Sequence, residues 1–256
     1  MIKNTFFKIV LTLLLIPVVL FSQINTEKYR SIEDSTGLIL HSEFDLKFEK
    51  GNVDFQELSI ETTAQYKFRQ SDLMTIISGD LGWEGGQRFS NAMLMHLRYT
   101  QNITKTVQLE FFTQVDYDKS RLLTGRFISG AGTRLRLWHG EEQGLWLGNS
   151  LFYENEKYDL PANTTHLKNV TDGRFSTYLS FIKDFKDYIE FNGVIYYQPR
   201  LSDWIDYKIV SEAGLNMELT KHVAISVSLV YRFDNKPPDT IKKQDIALEN
   251  GLVINF

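Results

Sequence analysis

Cysteine is absent from the 256-residue sequence, which excludes a disulfide framework, thiol catalysis and cysteine-ligated metals. A basic surplus is absent too, because 28 Lys and Arg residues stand against 32 Asp and Glu residues. Nucleic-acid-binding proteins carry the opposite balance, so we expect no nucleic-acid partner. Phosphate-binding loops, dinucleotide fingerprints and clustered histidines are also missing, so we expect neither a cofactor nor a metal.

The N-terminal residues 1–22 have the pattern of a cleaved secretory signal peptide. Lys3 and Lys8 give a positively charged beginning, and residues 9–21 are almost entirely apolar. This run is too short for a transmembrane helix, although an uncleaved anchor is the alternative. We predict cleavage near Ser22 and Gln23, followed by a periplasmic lead-in over residues 23–35. The mature chain would then hold 26 basic and 32 acidic residues, a net charge of −6.

Long apolar runs are missing from the rest of the chain, since no later stretch reaches 18 consecutive apolar residues. A transmembrane helix is therefore not expected there. Lipid leaves unpaired backbone polar groups unsatisfied, so only helices and closed barrels span membranes. A membrane-spanning mature protein would have to be a β-barrel.

Residues 245–256 form the clearest strand pattern in the sequence. One face carries Ile246, Leu248, Leu252, Ile254 and Phe256, and the other carries Asp245, Ala247, Glu249, Gly251 and Asn255. Such alternation is typical of a strand with one apolar and one polar or small face. Outer-membrane barrels present aromatic girdles at the membrane interfaces. We expect this strand to close a barrel and, through Phe256, to engage the barrel-assembly machinery.

The same alternation recurs along the chain and predicts about twelve strands, most of about 10 to 14 residues. Strands of soluble proteins usually have about 5–6 residues, whereas membrane-spanning strands need about 9–11. An even number places both termini in the periplasm. The predicted strands cover residues 37–49, 57–68, 73–83, 88–99, 106–117, 122–138, 144–154, 174–182, 188–198, 205–219, 223–233 and 245–256.

The sequence thus predicts an all-β fold, an about 12-stranded antiparallel transmembrane up-and-down β-barrel of the outer-membrane type over residues 36–256. Turns on the side of the termini are short, and two longer loops, 155–173 and 234–244, stand over the opposite rim. Outer-membrane lipid is the expected surrounding. A soluble barrel or sandwich is the alternative, because alternation alone does not show which face points inward.

Several segments carry a resemblance to a known protein family. They include HLRYTQNIT (96–104), YYQPRLSDWIDYKI (196–209) and the C-terminal YRFDNKPPDTIKKQDIALENGLVINF (231–256). Together with residues 110–137, 151–156 and 176–181, they resemble the YdiY-like family, described as salt-induced outer-membrane proteins of unknown function. The resemblance covers nearly the whole mature chain and implies an outer-membrane β-barrel. It implies no established activity and no catalytic residues.

Charged residues on the inward faces fall into two arcs that would oppose each other in a twelve-stranded barrel. We hypothesise a narrow pathway for ions or small solutes with a transverse field, because charged rings set the selectivity of pores. A plugged structural or binding barrel is the alternative, since buried charges must be paired. The basic arc comprises His96, Arg98, Arg126, Arg134 and Arg136, and the acidic arc comprises Glu43, Asp45, Glu57, Glu61, Glu190, Glu212 and Glu249.

Strand pairing gives two finer expectations. Glu156 should lie across from Arg126 on the neighbouring strand, which is typical of a structural pair. Glu190 and Glu212 should be directly opposed, with Arg232 diagonal to Glu212, and opposed carboxylates raise each other's proton affinity.

Enzymatic activity is not expected. A barrel lipase would need a Ser–His pair on the lipid-facing wall. Two histidines are predicted to face inward and three to lie in turns or loops, so this mechanism has no base. The five are His41, His96, His139, His166 and His222.

Overall fold

The computed structural model describes residues 26, 36–50, 54–185 and 188–255. The predicted signal peptide, nearly all of the lead-in and the terminal Phe256 lie outside the described residues. None of the described residues belongs to a helix long and apolar enough to cross a membrane.

The predicted barrel is confirmed: twelve antiparallel strands close on themselves, each paired with its neighbours in sequence and β1 paired with β12. A single turn of 3₁₀ helix, Lys119–Arg121, separates β5 from β6. The strands are β1 Gly37–Glu49, β2 Phe55–Lys67, β3 Ser71–Glu84, β4 Gln87–Asn102, β5 Val107–Asp118, β6 Leu123–His139, β7 Gln143–Tyr158, β8 Asn169–Phe185, β9 Ile189–Arg200, β10 Asp203–Thr220, β11 Val223–Asp234 and β12 Gln244–Asn255.

The two predicted long loops are shorter than the sequence indicated. β7 continues to Tyr158 and β8 begins at Asn169, so the loop 155–173 contracts to residues 159–168. The loop 234–244 contracts to 235–243. The first loop was predicted too long because β7 and β8 continue through polar residues. Asn155, for example, points outward and its side-chain amide donates to the Thr171 hydroxyl of β8 at 2.7 Å. The ladder here carries polar residues on its outward face, so the alternation that marks a strand disappears from the sequence.

The faces of the barrel have the polarity opposite to that of a soluble protein. Outward apolar side chains are exposed, with Leu46 at 76% and Leu151 at 57%. Inward charged side chains are buried, with Glu154 at 2% and Arg126 at 3% exposed. A soluble barrel requires the reverse arrangement, so the soluble alternative is wrong for this chain.

The lumen also contains apolar side chains that the alternation did not indicate. Met74 and Ile76 of β3 pack against Leu94 of β4. A second group joins Tyr178, Val194, Tyr196 and Val210 across β8, β9 and β10. These contacts fill part of the barrel interior.

The closing seam between β1 and β12 is short. Pairing covers only His41–Phe44 with Leu252–Asn255, although β1 continues to Glu49 and β12 starts at Gln244. Beyond the seam, these two strand edges have no partner strand within the described ranges. Gly251 leaves room at the seam for the Glu43 side chain, because a Cβ there would lie 2.3 Å from a carboxylate oxygen of Glu43.

Candidate functional site

Charged side chains from β5 to β10 meet inside the barrel at the end opposite the chain termini. Glu154 of β7 is their centre. Its carboxylate accepts from Arg174 Nε at 2.8 Å and from Lys208 Nζ at 3.1 Å, and it lies 3.8 Å from Arg126. We call this group the loop-end network; its members are Asp116, Arg126, Glu154, Glu156, Asp172, Arg174, Arg200, Asp206 and Lys208.

Each cation of the loop-end network has a second acceptor. Arg126 Nε donates to Asp116 at 3.1 Å, and Lys208 Nζ donates to Glu156 at 2.9 Å. Arg174 donates to Asp206 at 3.1 Å. Because the strands bring carboxylates to both sides of each cation, the network of five carboxylates and four cations nearly neutralises itself.

Two outer contacts extend the loop-end network towards the rim. Arg200 of β9 bonds Asp172 of β8 and lies 3.5 Å from Asp206.

The expected Arg126–Glu156 pairing is confirmed, since these residues are register partners on β6 and β7. Lys208 bridges β10 to β7, three strands away, so the network reaches across the lumen and does not only line the wall.

A smaller mid-lumen cluster contains the first two residues of the predicted basic arc. His96 Nδ1 lies 3.1 Å from the Gln114 amide oxygen, and Arg98 lies 3.5 Å from Glu110. The Tyr178 hydroxyl crosses from β8 to donate to Glu110 at 3.0 Å. A cavity of about 40 Å³ lies beside these groups, roughly the space of two or three ordered waters.

Gly148 makes the crossing of Tyr178 geometrically feasible. A Cβ at Gly148 would lie 1.9 Å from Cε1 of the tyrosine ring. The ring therefore lies against the β7 backbone at Gly148, and its hydroxyl donates to Glu110.

The remaining basic-arc residues also point inward. Arg134 donates to Gln108 at 2.9 Å, and its guanidinium lies 4.4 Å from the ring centroid of Trp146. Arg136 is half-buried and is the register partner of Trp146. Arg126 contacts carboxylates of β5 and β7, and Arg98 contacts Glu110 of β5, so both cations have acceptors on neighbouring strands.

The predicted apposition of Glu190 and Glu212 is wrong. Glu190 is opposite Asn216 and accepts from its amide at 3.1 Å, whereas Glu212 is opposite Val194. The register of β9 and β10 is shifted from the expected one because β10 begins at Asp203 with an irregularity before Tyr207. Arg232 is diagonal to Glu212, as expected, since Glu212 opposes Val230.

The other acidic-arc residues lie on β1, β2 and β12. Lys47 contacts both Asp45, at 3.7 Å, and Glu57, at 3.3 Å. Glu43 bonds the Ser226 hydroxyl across β12, and Glu249 accepts from Ser228 at 3.4 Å. Glu61 is the direct register partner of Glu43.

Several residues of the site were not named from the sequence. Glu154 shares the inward parity of residues that were named, but Arg174 was placed at the beginning of a strand that in fact starts at Asn169. Asp80 of β3, 2% exposed, is an inward carboxylate of the same wall as Glu61. Inward parity combined with correct strand ends would have identified Glu154, Arg174 and Asp80.

The loops at the network end are joined by Asp239. Its carboxylate accepts from the Thr165 hydroxyl at 3.0 Å, from the Thr165 amide and from the His166 amide at 2.8 Å. These hydrogen bonds, first of all that from the His166 amide, hold the pKa of Asp239 below its usual range. The contact ties loop 235–243 to loop 159–168.

No group of three or more His, Asp or Glu side chains in the described ranges is arranged to hold a metal ion. The carboxylates are distributed along the strands and between cations. The described carboxylates of the loop-end network therefore form ion pairs with cations of other strands.

A family model described as "Protein of unknown function, DUF481" matches residues 42–256. The chain belongs to this family. No curated protein matches the sequence.

Solved barrels resemble the structure at low sequence identity. A KdgM porin is 10% identical, with 86% of this chain and 99% of that chain covered and a TM-score of 0.46. The NanC porin is 9% identical, with 86% and 98% covered and a TM-score of 0.46. The translocator domain of the autotransporter NalP from Neisseria meningitidis is 10% identical, with 87% and 89% covered and a TM-score of 0.48.

Proposed function

We propose that this protein is an integral outer-membrane β-barrel that forms a narrow pathway for ions or small solutes. The observation behind the membrane placement is the distribution of side chains, which is apolar on the outer face of the barrel and charged inside. Its outward face exposes Leu38, Leu46, Leu151, Ile195 and Leu229 at 49% or more, while charged groups are buried inside. Water would oppose that arrangement, and lipid favours it.

Strand length supports the membrane placement. The strands run from 12 residues in β5 to 18 in β10, against the about 9–11 that a tilted strand needs to cross the hydrocarbon core. The surplus would form a rim outside the lipid, where the polar Asn155–Thr171 contact lies. The proposal includes periplasmic termini, export by the N-terminal segment, assembly through the C-terminal strand and no enzymatic activity.

A pathway would be constricted by the loop-end network. Lys208 reaches from β10 to Glu154 and Glu156 on β7, so ion pairs would contribute to narrowing this end. Charged constrictions of this kind select permeating ions. The resemblance to the YdiY-like family adds an envelope role in salt stress to the proposal.

A plugged barrel that binds an envelope partner is the second candidate. The near neutrality of the loop-end network favours it, because paired buried charges also occur where nothing permeates. Under this alternative, the joined loops 159–168 and 235–243 would be the binding surface.

Single-channel recording separates the two candidates. The chain from residue 23 to 256 is refolded into a planar bilayer under a salt gradient, and we expect discrete conductance steps. Arg126→Glu combined with Arg134→Glu should shift the reversal potential towards cation selectivity, whereas the exposed-loop control Lys236→Glu should not. A folded barrel without current would contradict the pathway and support the plugged barrel.

A further inference from the structure

A cavity of about 280 Å³ lies at the loop end of the barrel, between the turns that join β1 to β2 and β3 to β4. The Gly85 amide of the second turn donates to the Asp54 carbonyl at 2.9 Å, so this hydrogen bond holds the two turns side by side. We call this space the rim cavity; its lining residues are Lys50, Asp54, Gln56, Trp83 and Gly86.

The strand residues of the rim cavity point to the outer face of the barrel. Gln56 has the parity of Ile60, which is 39% exposed among the outward apolar side chains, whereas Glu57 between them is 2% exposed inside. Trp83 of β3 is the register partner of Gln56. At this pair the outward face changes from apolar to polar and aromatic, as expected where a strand leaves the hydrocarbon for the headgroup layer. A ligand of the rim cavity would therefore come from that layer.

Trp83 supplies the rim cavity with an aromatic ring. The Arg88 guanidinium lies 5.3 Å from the centroid of this ring, within the range of a cation–π interaction. Arg88 does not itself line the cavity, so a part of the ring that Arg88 does not cover faces the cavity. Tryptophan is common at membrane interfaces without any ligand, but a ring beside a polar cavity can also stack on the C–H face of a sugar.

The polar groups of the rim cavity match hydroxyl groups better than ions. Asp54 accepts hydrogen bonds, Lys50 donates them and the Gln56 amide does both. Lys50 and Asp54 contribute one charge of each sign, so an anion would meet the carboxylate and a cation would meet the ammonium group. A sugar hydroxyl both donates and accepts, and can therefore bind all three side chains. The volume is just below the about 300–1,000 Å³ of typical small-molecule sites, which suits a single sugar ring.

We propose that the rim cavity binds an uncharged pyranose ring, supplied by the headgroup of a neutral glycolipid. The ring would lie with its C–H face on Trp83, and its hydroxyls would bond Lys50, Asp54 and Gln56. The outward parity of Gln56 and Trp83 favours a headgroup as the source. The site goes beyond the proposed pathway, because sugar binding on the outer face requires no conduction through the lumen.

Titration calorimetry of the barrel, residues 23–256, tests the site in dodecylphosphocholine micelles, because the sugar of a maltoside detergent would compete. Cellotriose and maltotriose are the probes, and sorbitol is the control with similar hydroxyls but no ring face. We expect saturable trisaccharide binding with a Kd of about 1 mM or lower and no saturable binding of sorbitol. Trp83→Ala should weaken trisaccharide binding at least about tenfold. The matched control Trp204→Ala, at a ring that is 57% exposed on β10 and stacked on Phe175, should leave it unchanged.

A second variant and a lipid probe keep the inference testable if Trp83→Ala fails to fold. Gln56→Leu changes an exposed side chain and should weaken trisaccharide binding about threefold, the loss of one neutral hydrogen bond. Monogalactosyldiacylglycerol mixed into the micelles should displace the trisaccharide, and no displacement would overturn the headgroup source.

Absence of trisaccharide binding, or sorbitol binding of equal affinity, would overturn the inference. Equal affinities of the wild type, Trp83→Ala and Gln56→Leu would overturn it as well. Trisaccharide binding without current in bilayers would refute the pathway alone, and current without trisaccharide binding would refute the site alone.

Discussion

Glu154 is the residue whose loss should most weaken the barrel interior. Its carboxylate is 2% exposed and contacts three cations, Arg126, Arg174 and Lys208. Glu154→Gln removes the charge but keeps the side-chain volume, so cavity formation does not contribute. The change therefore isolates the electrostatic and hydrogen-bonding role of this one group.

The expected magnitude follows from the contacts that remain. Removing one member of a buried ion pair costs about 3–5 kcal/mol, because the partner charge is left uncompensated. Here each cation retains an acceptor, since Arg126 keeps Asp116, Arg174 keeps Asp206 and Lys208 keeps Glu156. We therefore expect Glu154→Gln to lower the free energy of unfolding by about 3 kcal/mol, the lower end of that range.

Urea titration in lipid vesicles, followed by tryptophan fluorescence, measures this change. Glu156→Gln should cost less than Glu154→Gln, because Glu156 directly contacts only Lys208 among the network cations. Asp159→Asn, in the exposed loop, should change stability by less than about 0.5 kcal/mol. A Glu154→Gln barrel as stable as the Asp159→Asn control, or more stable than Glu156→Gln, would refute the idea that Glu154 centres the network.

Two further predictions concern the mid-lumen cluster and the loops. Gly148→Ala should displace the Tyr178 ring, because the new Cβ would lie 1.9 Å from it. We expect the free energy of unfolding in the same urea assay to fall by about 1–3 kcal/mol. An unchanged midpoint of urea unfolding would contradict this packing. Because the pKa of Asp239 is lowered by the amides of His166 and Thr165 and by the Thr165 hydroxyl, the loop contact should persist above the usual carboxyl pKa and be lost as pH falls through the lowered value. The protection of the Thr165 and His166 amides against hydrogen exchange, taken relative to their intrinsic exchange rates, should fall at low pH, and Asp239→Asn should abolish that dependence.

The sequence was sufficient for the architecture because a strand's alternation is a local property. Each strand from β1 to β12 was predicted, and most of their ends were placed within about three residues. The larger errors occurred at β7 and β8, whose ladder continues through polar residues such as Asn155 and Thr171. The alternation of apolar and polar residues cannot reveal a strand segment whose two faces are both polar.

Side-chain partnerships needed the tertiary structure. The Arg126–Glu156 register followed from a short turn and was predicted correctly, whereas the β9–β10 register depended on the irregularity near Asp203 and was not. The three-strand reach of Lys208 to Glu154 depends on barrel curvature, which no local pattern encodes.

The sequence by itself determined a closed antiparallel barrel, the number of its strands and the face of each strand that carries charge. These follow from residue parity and from the requirement that backbone polar groups be paired. Only the tertiary structure decided which charged side chains contact one another. The reason is physical: ion pairing depends on distances of a few ångströms between strands far apart in sequence, and those distances are set by register, bulges and curvature.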